Sequence, residues 1–192
     1  MRATTWPQPA RLTVVHPNYW DVRHFLEKLD SCMDTEARRP VKKIRVALVG
    51  SSGGHLAQLL ALAPFWEQHE RFWVTFDTED AISLLSDERS YWCFRPTNRN
   101  FPNLVRNTIL AWRILRRERP DLIVSTGAAV AVPFFWVGRL LGARTVFIEV
   151  IDRMDHGTWT GRLIRPVATR ILIQWPEQAK FYPRGRLIGP LL

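Results

Sequence analysis

The sequence predicts a doubly wound α/β domain, a mostly parallel sheet with helices on both faces. Three observations carry this reading. From Lys42 onward, short β-branched or aromatic runs alternate with helical stretches. The first run, residues 44–50 (IRVALVG), is almost continuously apolar, as a parallel strand covered on both sides requires. Glycine-containing turns stand after two of the strands and just ahead of helices.

Each element follows in order. After the strand at 44–50, residues 54–67 read as a helix with Leu56, Leu59, Leu60 and Ala63 on one side, limited or kinked by Pro64. Residues 72–76 are a second strand, 79–88 a second helix and 91–94 a short third strand. Residues 103–119 form the longest helix, which Pro120 stops. A fourth strand (122–125), a helix (130–141), a fifth strand (145–150), a helix (161–169) and a sixth strand (171–174) complete the pattern. With right-handed crossovers this is a Rossmann-like domain over residues 41–192. Residues 1–40, rich in proline and charge, read as an N-terminal extension with one short amphipathic helix expected at 19–29.

Composition narrows the class. The 192 residues are 46% apolar, enough for a substantial core. Of the 27 basic residues only Lys28, Lys42, Lys43 and Lys180 are lysines, so the formal charge of +9 is mostly guanidinium. Residues 1–88 hold 10 basic and 12 acidic side chains, and residues 89–192 hold 17 and 6, so the second part should attract anions. Arginine suits phosphate, which its planar fork binds through two hydrogen bonds. Cys32 and Cys93 are too few for a disulfide framework and lack metal-ligand spacing, so a reducing cytoplasm and no metal are expected. The proline-bearing start does not read as a signal peptide. The charge-free stretch 122–138 does not read as a membrane span, because Gly127 and Pro133 divide it into a strand, a turn and a helix.

The sharpest local motif is Gly50-Ser51-Ser52-Gly53-Gly54-His55, between the first strand and first helix. Glycines there admit close approach of a ligand, and a helix N-terminus offers unpaired N–H groups to an anion. The glycines match neither the dinucleotide fingerprint nor a P-loop, which favours a phosphate-bearing ligand other than NAD or ATP; a plain tight turn is the alternative. His55 suits a general base toward a hydroxyl, with capping or packing as the alternative. Ser125-Thr126-Gly127 forms a second such turn, and in an open α/β sheet both turns line the same edge. Beyond the fifth strand, Glu149 suits a contact with a sugar hydroxyl and Arg153 a phosphate, with salt bridging to Asp152 as the alternative.

The long helix places Leu104, Val105, Thr108, Ile109, Trp112 and Leu115 on one stripe. Arg106, Arg113, Arg116, Arg117 and Arg119 surround it. Such a helix can lie on an anionic membrane, with arginines at the head groups and Trp112 near the interface, or serve as an ordinary covering layer. Nucleic acid is not an expected partner, since no zinc finger, helix-turn-helix or RNP-like motif accompanies the charge.

Several segments carry a family resemblance: GSSGGHLAQLLAL (50–62), STGAAVAVPFFWVGRLLGARTVFIEVIDR (125–153), TGRL (160–163), QWPEQAKFYP (174–183) and the final LIGPLL. They resemble the PssD-type bacterial proteins of exopolysaccharide synthesis. More distantly they resemble the membrane-bound subunit of the eukaryotic dolichol-linked UDP-N-acetylglucosamine transferase. The resemblance implies a GT-B glycosyltransferase split between two chains, this one being the N-terminal, acceptor-side half. A separate small subunit would bind the UDP-sugar co-substrate, leaving this chain without a cofactor of its own. Six strands fill one lobe of the two such an enzyme needs.

Carried onto this sequence, the resemblance makes His55 and Glu149 the catalytic candidates. It assigns Gly50, Ser51, Ser52, Gly53, Gly54, Ser125, Thr126, Gly127 and Arg153 to a lipid-linked diphosphate sugar acceptor. Gln174, Trp175 and Pro176 fall near the junction with the partner subunit. The eukaryotic subunit has an N-terminal membrane helix and residues 1–40 offer none, so peripheral attachment to the cytoplasmic face of the inner membrane is expected. Residues 155–159 depart from the family's more Ser/Leu-like segment, which bears on acceptor contacts. The rival expectations are a non-catalytic scaffold for a transferase and a stand-alone nucleotide-binding enzyme.

Overall fold

A computed structural model of the chain describes residues 43–97, 99–152 and 157–192. The N-terminal extension with its expected helix, and Arg153, lie outside the described residues. The elements run β1 (Arg45–Val49), α1 (Gly54–Leu60), α2 (Ala63–Trp66), β2 (Glu70–Thr75), α3 (Glu79–Leu84), β3 (Ser90–Trp92) and α4 (Phe101–Glu118). They continue with β4 (Leu122–Ser125), α5 (Ala131–Leu140), β5 (Arg144–Ile148), α6 (Trp159–Ile164), β6 (Arg170–Ile173), a 3-10 turn (Pro176–Lys180) and β7 (Arg186–Leu187).

The seven strands among the described residues are all parallel, in the order β3-β2-β1-β4-β5-β6-β7. Successive strand residues point to opposite faces, so each strand feeds two cores. Ala47, Val49, Phe72, Val74 and Phe147 pack with α4, α5 and α6. Val46, Leu48, Trp73, Val124 and Ile148 pack with α1, α2 and α3. The near-continuous apolar reading of residues 44–50 therefore reflects burial on both sides. The stretch 122–138 divides into β4, a turn and most of α5, and no helix among the described residues is long and apolar enough to cross a membrane.

The structure corrects the expectation at two places. The single helix expected over 54–67 is two, because Pro64 lacks the N–H to continue the first and opens the second. A seventh strand, β7, joins the edge; at two exposed residues it has no hydrophobic alternation to announce it. For α4, left open in the sequence between a membrane-facing helix and an ordinary covering layer, the apolar stripe does not face the sheet. Leu104, Val105, Ile109 and Trp112 are exposed, and of the expected stripe only Leu115 is in the core.

The inward side of α4 includes Asn103, Asn107 and Glu118 beside Ala111, Ile114 and Leu115. Asn107 accepts from Phe94 N–H and donates to Phe94 O, both at 2.9 Å. Asn103 Nδ2 donates to Pro96 O at 2.9 Å. Glu118 accepts from Tyr91 OH and pairs with Arg89 at 2.8 Å. Three polar side chains thus satisfy the backbone and edge around β3, which would otherwise carry unmet donors and acceptors. Their spacing rotates the apolar residues outward.

This orientation gives a direct test. Leu115→Ala should cost about 2–5 kcal/mol by opening a core cavity, whereas Leu104→Ala should stay within about 0.5 kcal/mol, as at other surface positions. Urea denaturation of the two variants checks it, and equal losses would return Leu104 to the core.

Candidate functional site

The strand order reverses between β1 and β4: the chain moves outward to β2 and β3, then returns to the other side of β1. A crevice opens outside the carboxyl ends of the strands at such a point. The two glycine turns emerge there side by side, since Val49 at the end of β1 registers with Ser125 at the end of β4.

Two reciprocal hydrogen bonds join them. His55 Nδ1 lies 3.0 Å from Thr126 O, and Thr126 Oγ1 donates to His55 O at 2.8 Å. A carbonyl carries no proton, so Nδ1 must be the donor, which leaves Nε2 of a neutral ring as the acceptor. Burial lowers the His55 pKa below its ordinary 6.5, opposed by the Thr126 bond and the negative charge of Asp152. The ring is accordingly neutral near pH 7, with a basic nitrogen in fixed orientation.

The backbone beneath this histidine is unusual. Gly127 has φ +121° and Ala128 φ +70°, two successive left-handed residues, the second with a side chain. A Cβ on Gly127 would meet His55 Cε1 at 2.9 Å, so glycine there leaves room for the ring. Ser125 Oγ accepts from Gly127 N–H at 3.0 Å, and Thr126 is spent on His55. Both hydroxyl side chains are buried, so Ser125 and Thr126 build the second turn where contact with the acceptor was expected.

In the first turn, Gly50 is buried, Ser51 and Ser52 are half-buried, and Gly53 and Gly54 are exposed. Ser51 Oγ donates to Ser52 O at 3.3 Å. Gly53 takes φ +71°, a conformation that favours glycine, and its N–H donates to Asp80 Oδ2 at 3.2 Å. The N–H expected to meet a phosphate is therefore engaged by an internal carboxylate. Asp80, at the start of α3, was not anticipated as part of the site.

Glu149, expected beside a sugar hydroxyl, is fully buried. Its carboxylate accepts from Val150 N–H at 3.1 Å, from Thr158 Oγ1 at 3.2 Å and from Tyr182 OH. Burial, and then the Glu149 bond, push the Tyr182 hydroxyl well above its ordinary pKa. With both oxygens engaged, Glu149 anchors the segment leaving β5 from inside the protein. Thr158 also caps α6, accepting from Gly161 N–H at 3.0 Å.

The segment expected at a partner junction completes this anchor. Gln174 Nε2 donates to Glu149 O at 2.9 Å, Gln178 Nε2 to Val150 O at 2.8 Å and Trp175 Nε1 to Ile151 O at 2.9 Å. Three consecutive carbonyls are held by three side chains. Gln174 also donates to Gln58 Oε1 and accepts from Leu191 N–H, both at 2.9 Å, and is buried. Within the chain, the Gln174 side chain is thus fully engaged in the interior. Trp175 is half-buried and Pro176 exposed. Gln58, Gln178 and Tyr182 went unrecognised in the sequence; a glutamine inside the apolar run HLAQLLAL was the one available signal. Among the described residues, no His, Cys, Asp and Glu group could hold a metal ion.

Two outcomes follow. A Cβ at Gly161 would fall 1.9 Å from Tyr182 Oη, so Gly161→Ala should destabilise the fold by about 1–3 kcal/mol in urea titrations; a neutral result would dissolve the anchor. The unfolded chain takes up the His55 proton near pH 6.5 and the folded chain only lower, so stability present at pH 7 should fall as the pH drops below 6.5. His55→Asn should flatten that part of the profile, and an unchanged slope would contradict the burial argument.

Comparison with known proteins places this geometry. A family model described as "Oligosaccharide biosynthesis protein Alg14 like" matches residues 98–191. The human UDP-N-acetylglucosamine transferase subunit ALG14 is 23% identical over 184 residues, covering 80% of this chain and 85% of that protein. The Eremothecium gossypii ALG14 subunit is 31% identical over 100 residues, covering 46% of this chain and 45% of that one. Among solved structures, Acinetobacter baumannii MurG matches with a TM-score of 0.58 at 22% identity, over 71% of this chain and 43% of MurG. The Rickettsia bellii UDP-N-acetylglucosamine 2-epimerase matches at 0.63 and 10% identity, over 78% of this chain and 46% of the epimerase. The chain thus spans less than half the length of these solved structures. The chain shares the fold of a little under half of each of these two structures, and its residues 98–191 are similar to the Alg14-like family, as the chain is to the eukaryotic UDP-N-acetylglucosamine transferase subunit ALG14.

Proposed function

We propose that this chain is the acceptor-side subunit of a two-component, UDP-sugar-dependent glycosyltransferase in polysaccharide biosynthesis, of the PssD type. A small donor-binding subunit supplies the opposing lobe and holds the UDP-sugar. The acceptor is a lipid-linked diphosphate sugar, reached at the cytoplasmic face of the inner membrane by peripheral attachment through α4 and its residues Arg106, Trp112, Arg113, Arg116 and Arg117. The observation that carries the reading is His55 at the switch point, with Nδ1 committed to Thr126 and Nε2 left as a base.

In the reaction, Nε2 takes the proton of the acceptor hydroxyl as its oxygen attacks the anomeric carbon. The bond from that carbon to the UDP oxygen breaks, and its electron pair leaves with UDP, stabilised by the partner. The acceptor diphosphate lies beside Ser51, Ser52 and the turn of Gly53 and Gly54, where it competes with Asp80 for the Gly53 N–H, and Arg153 adds charge. The subunit naming of the ALG14 relatives supports a heteromer.

The test is reconstitution with the donor-binding subunit and transfer from radiolabelled UDP-sugar to membrane lipid. His55→Ala should lose about 10²–10⁴-fold in kcat, the usual contribution of a general base. The wild-type pair should lose kcat/KM on acidification through a pKa below 6.5, where Nε2 becomes protonated. Full activity of the alanine variant would instead make the chain a scaffold. Tight UDP-sugar binding by the chain alone would make it a stand-alone nucleotide-binding enzyme.

A further inference from the structure

We propose that the outer faces of α4, α5 and α6 form one continuous docking surface for an anionic lipid bilayer, to which α5 and α6 contribute as much as α4. This rests on the membrane reading of α4 and extends it. The three helices cover the same side of the sheet, α5 packing between the other two. Their outward side chains include large apolar groups in water: Phe101 is 74% exposed, Leu140 77% and Trp159 76%. Trp136 and Leu163 continue the patch, and Trp136 Nε1 donates to Leu163 O at 3.1 Å, joining α5 to α6. Isolated exposed apolar residues are ordinary, but a patch shared by three adjacent helices marks an interaction surface.

Charge selects the occupant. The only acidic residue in these three helices is Glu118, and it is buried against Arg89 and Tyr91. The outward charges are all guanidinium: the arginines of α4, then Arg139 on α5 and Arg162 on α6. The helices of the opposite layer, α1 to α3, contain Glu79 and Asp80 and no lysine or arginine. The sheet thus separates a cationic, apolar-rich layer from an anionic one. Arginines interspersed with tryptophan and leucine match head groups above acyl chains. Nucleic acid would leave the apolar groups unsatisfied, and two copies of this face would repel each other. Arg116 and Arg162 lie over the rings of Trp112 and Trp159, with centroids at 5.9 and 5.4 Å, so each cation stands beside an aromatic anchor.

The experiment is co-sedimentation of the full chain with vesicles of phosphatidylcholine containing about one-quarter phosphatidylglycerol, and with phosphatidylcholine alone. The wild type should prefer the anionic vesicles and release partly at high salt. Leu140→Ser with Trp159→Ser should weaken binding at least about tenfold, since two large side chains lose apolar burial. Ile82→Ser with Leu84→Ser, also exposed but on the other layer, should change it less than about twofold. Circular dichroism confirms folding. Quenching of tryptophan fluorescence by brominated lipid, smaller in Trp159→Phe, gives a second readout. Loss of binding on charge reversal at Arg113, Arg116 and Arg117, with the Leu140/Trp159 variant binding normally, would sink this surface and leave the α4 reading. No binding of the wild type to anionic vesicles would overturn both, and self-association or binding to oligonucleotide would then name the true occupant.

Discussion

The crevice depends on one reciprocal contact, the pair of hydrogen bonds between His55 and Thr126. Each residue gives its side chain to the other's main chain, so neither turn is placed independently. The bond fixes the tautomer of the imidazole and the rotation of its ring at once. It is cheap only because the second turn accepts two left-handed residues in succession, with Gly127 clearing space for the ring. Strain in the backbone and order in the side chain are two sides of the same arrangement.

A second anchor works on the far side. A segment leaving a parallel strand has carbonyls with no strand partner, and here Gln174, Gln178 and Trp175 meet three in sequence. Beneath them Tyr182 rests its ring against Phe147, with centroids 6.4 Å apart, and turns its hydroxyl to Glu149. A carboxylate this deep is tolerable because donors surround it. The carboxyl edge of the sheet therefore has its glycine turns held through His55 and the segment after β5 held through Glu149, each by polar groups inside the protein.

Much of the architecture was legible in the sequence because parallel strands buried on both faces leave a nearly unbroken apolar signature, as residues 44–50 show. The glycine turns were legible because their backbone angles restrict the residue type. The roles of Gln174 and Glu149 were not, since a polar residue at a sheet edge reads alike whether it meets a ligand, a partner or an internal carbonyl. Only long-range partners such as Gln58, 116 residues away, distinguish these cases. The same applies to α4. Its periodicity reveals a stripe, but which side turns inward is decided by Asn103, Asn107 and Glu118 finding backbone and side-chain partners near β3.

That mode of attachment separates two properties that are coupled in most covering helices. Where a helix adheres through its oily side, changing that side endangers the fold. In α4 a large part of the adhesion is directional, through Asn103 and Asn107 to main-chain atoms, while the oily side is left free. Its outward character can drift toward more grease, more charge or neither with little penalty to folding, so the affinity of this layer for its surroundings is a property that substitution can adjust almost independently of the edge that carries the glycine turns.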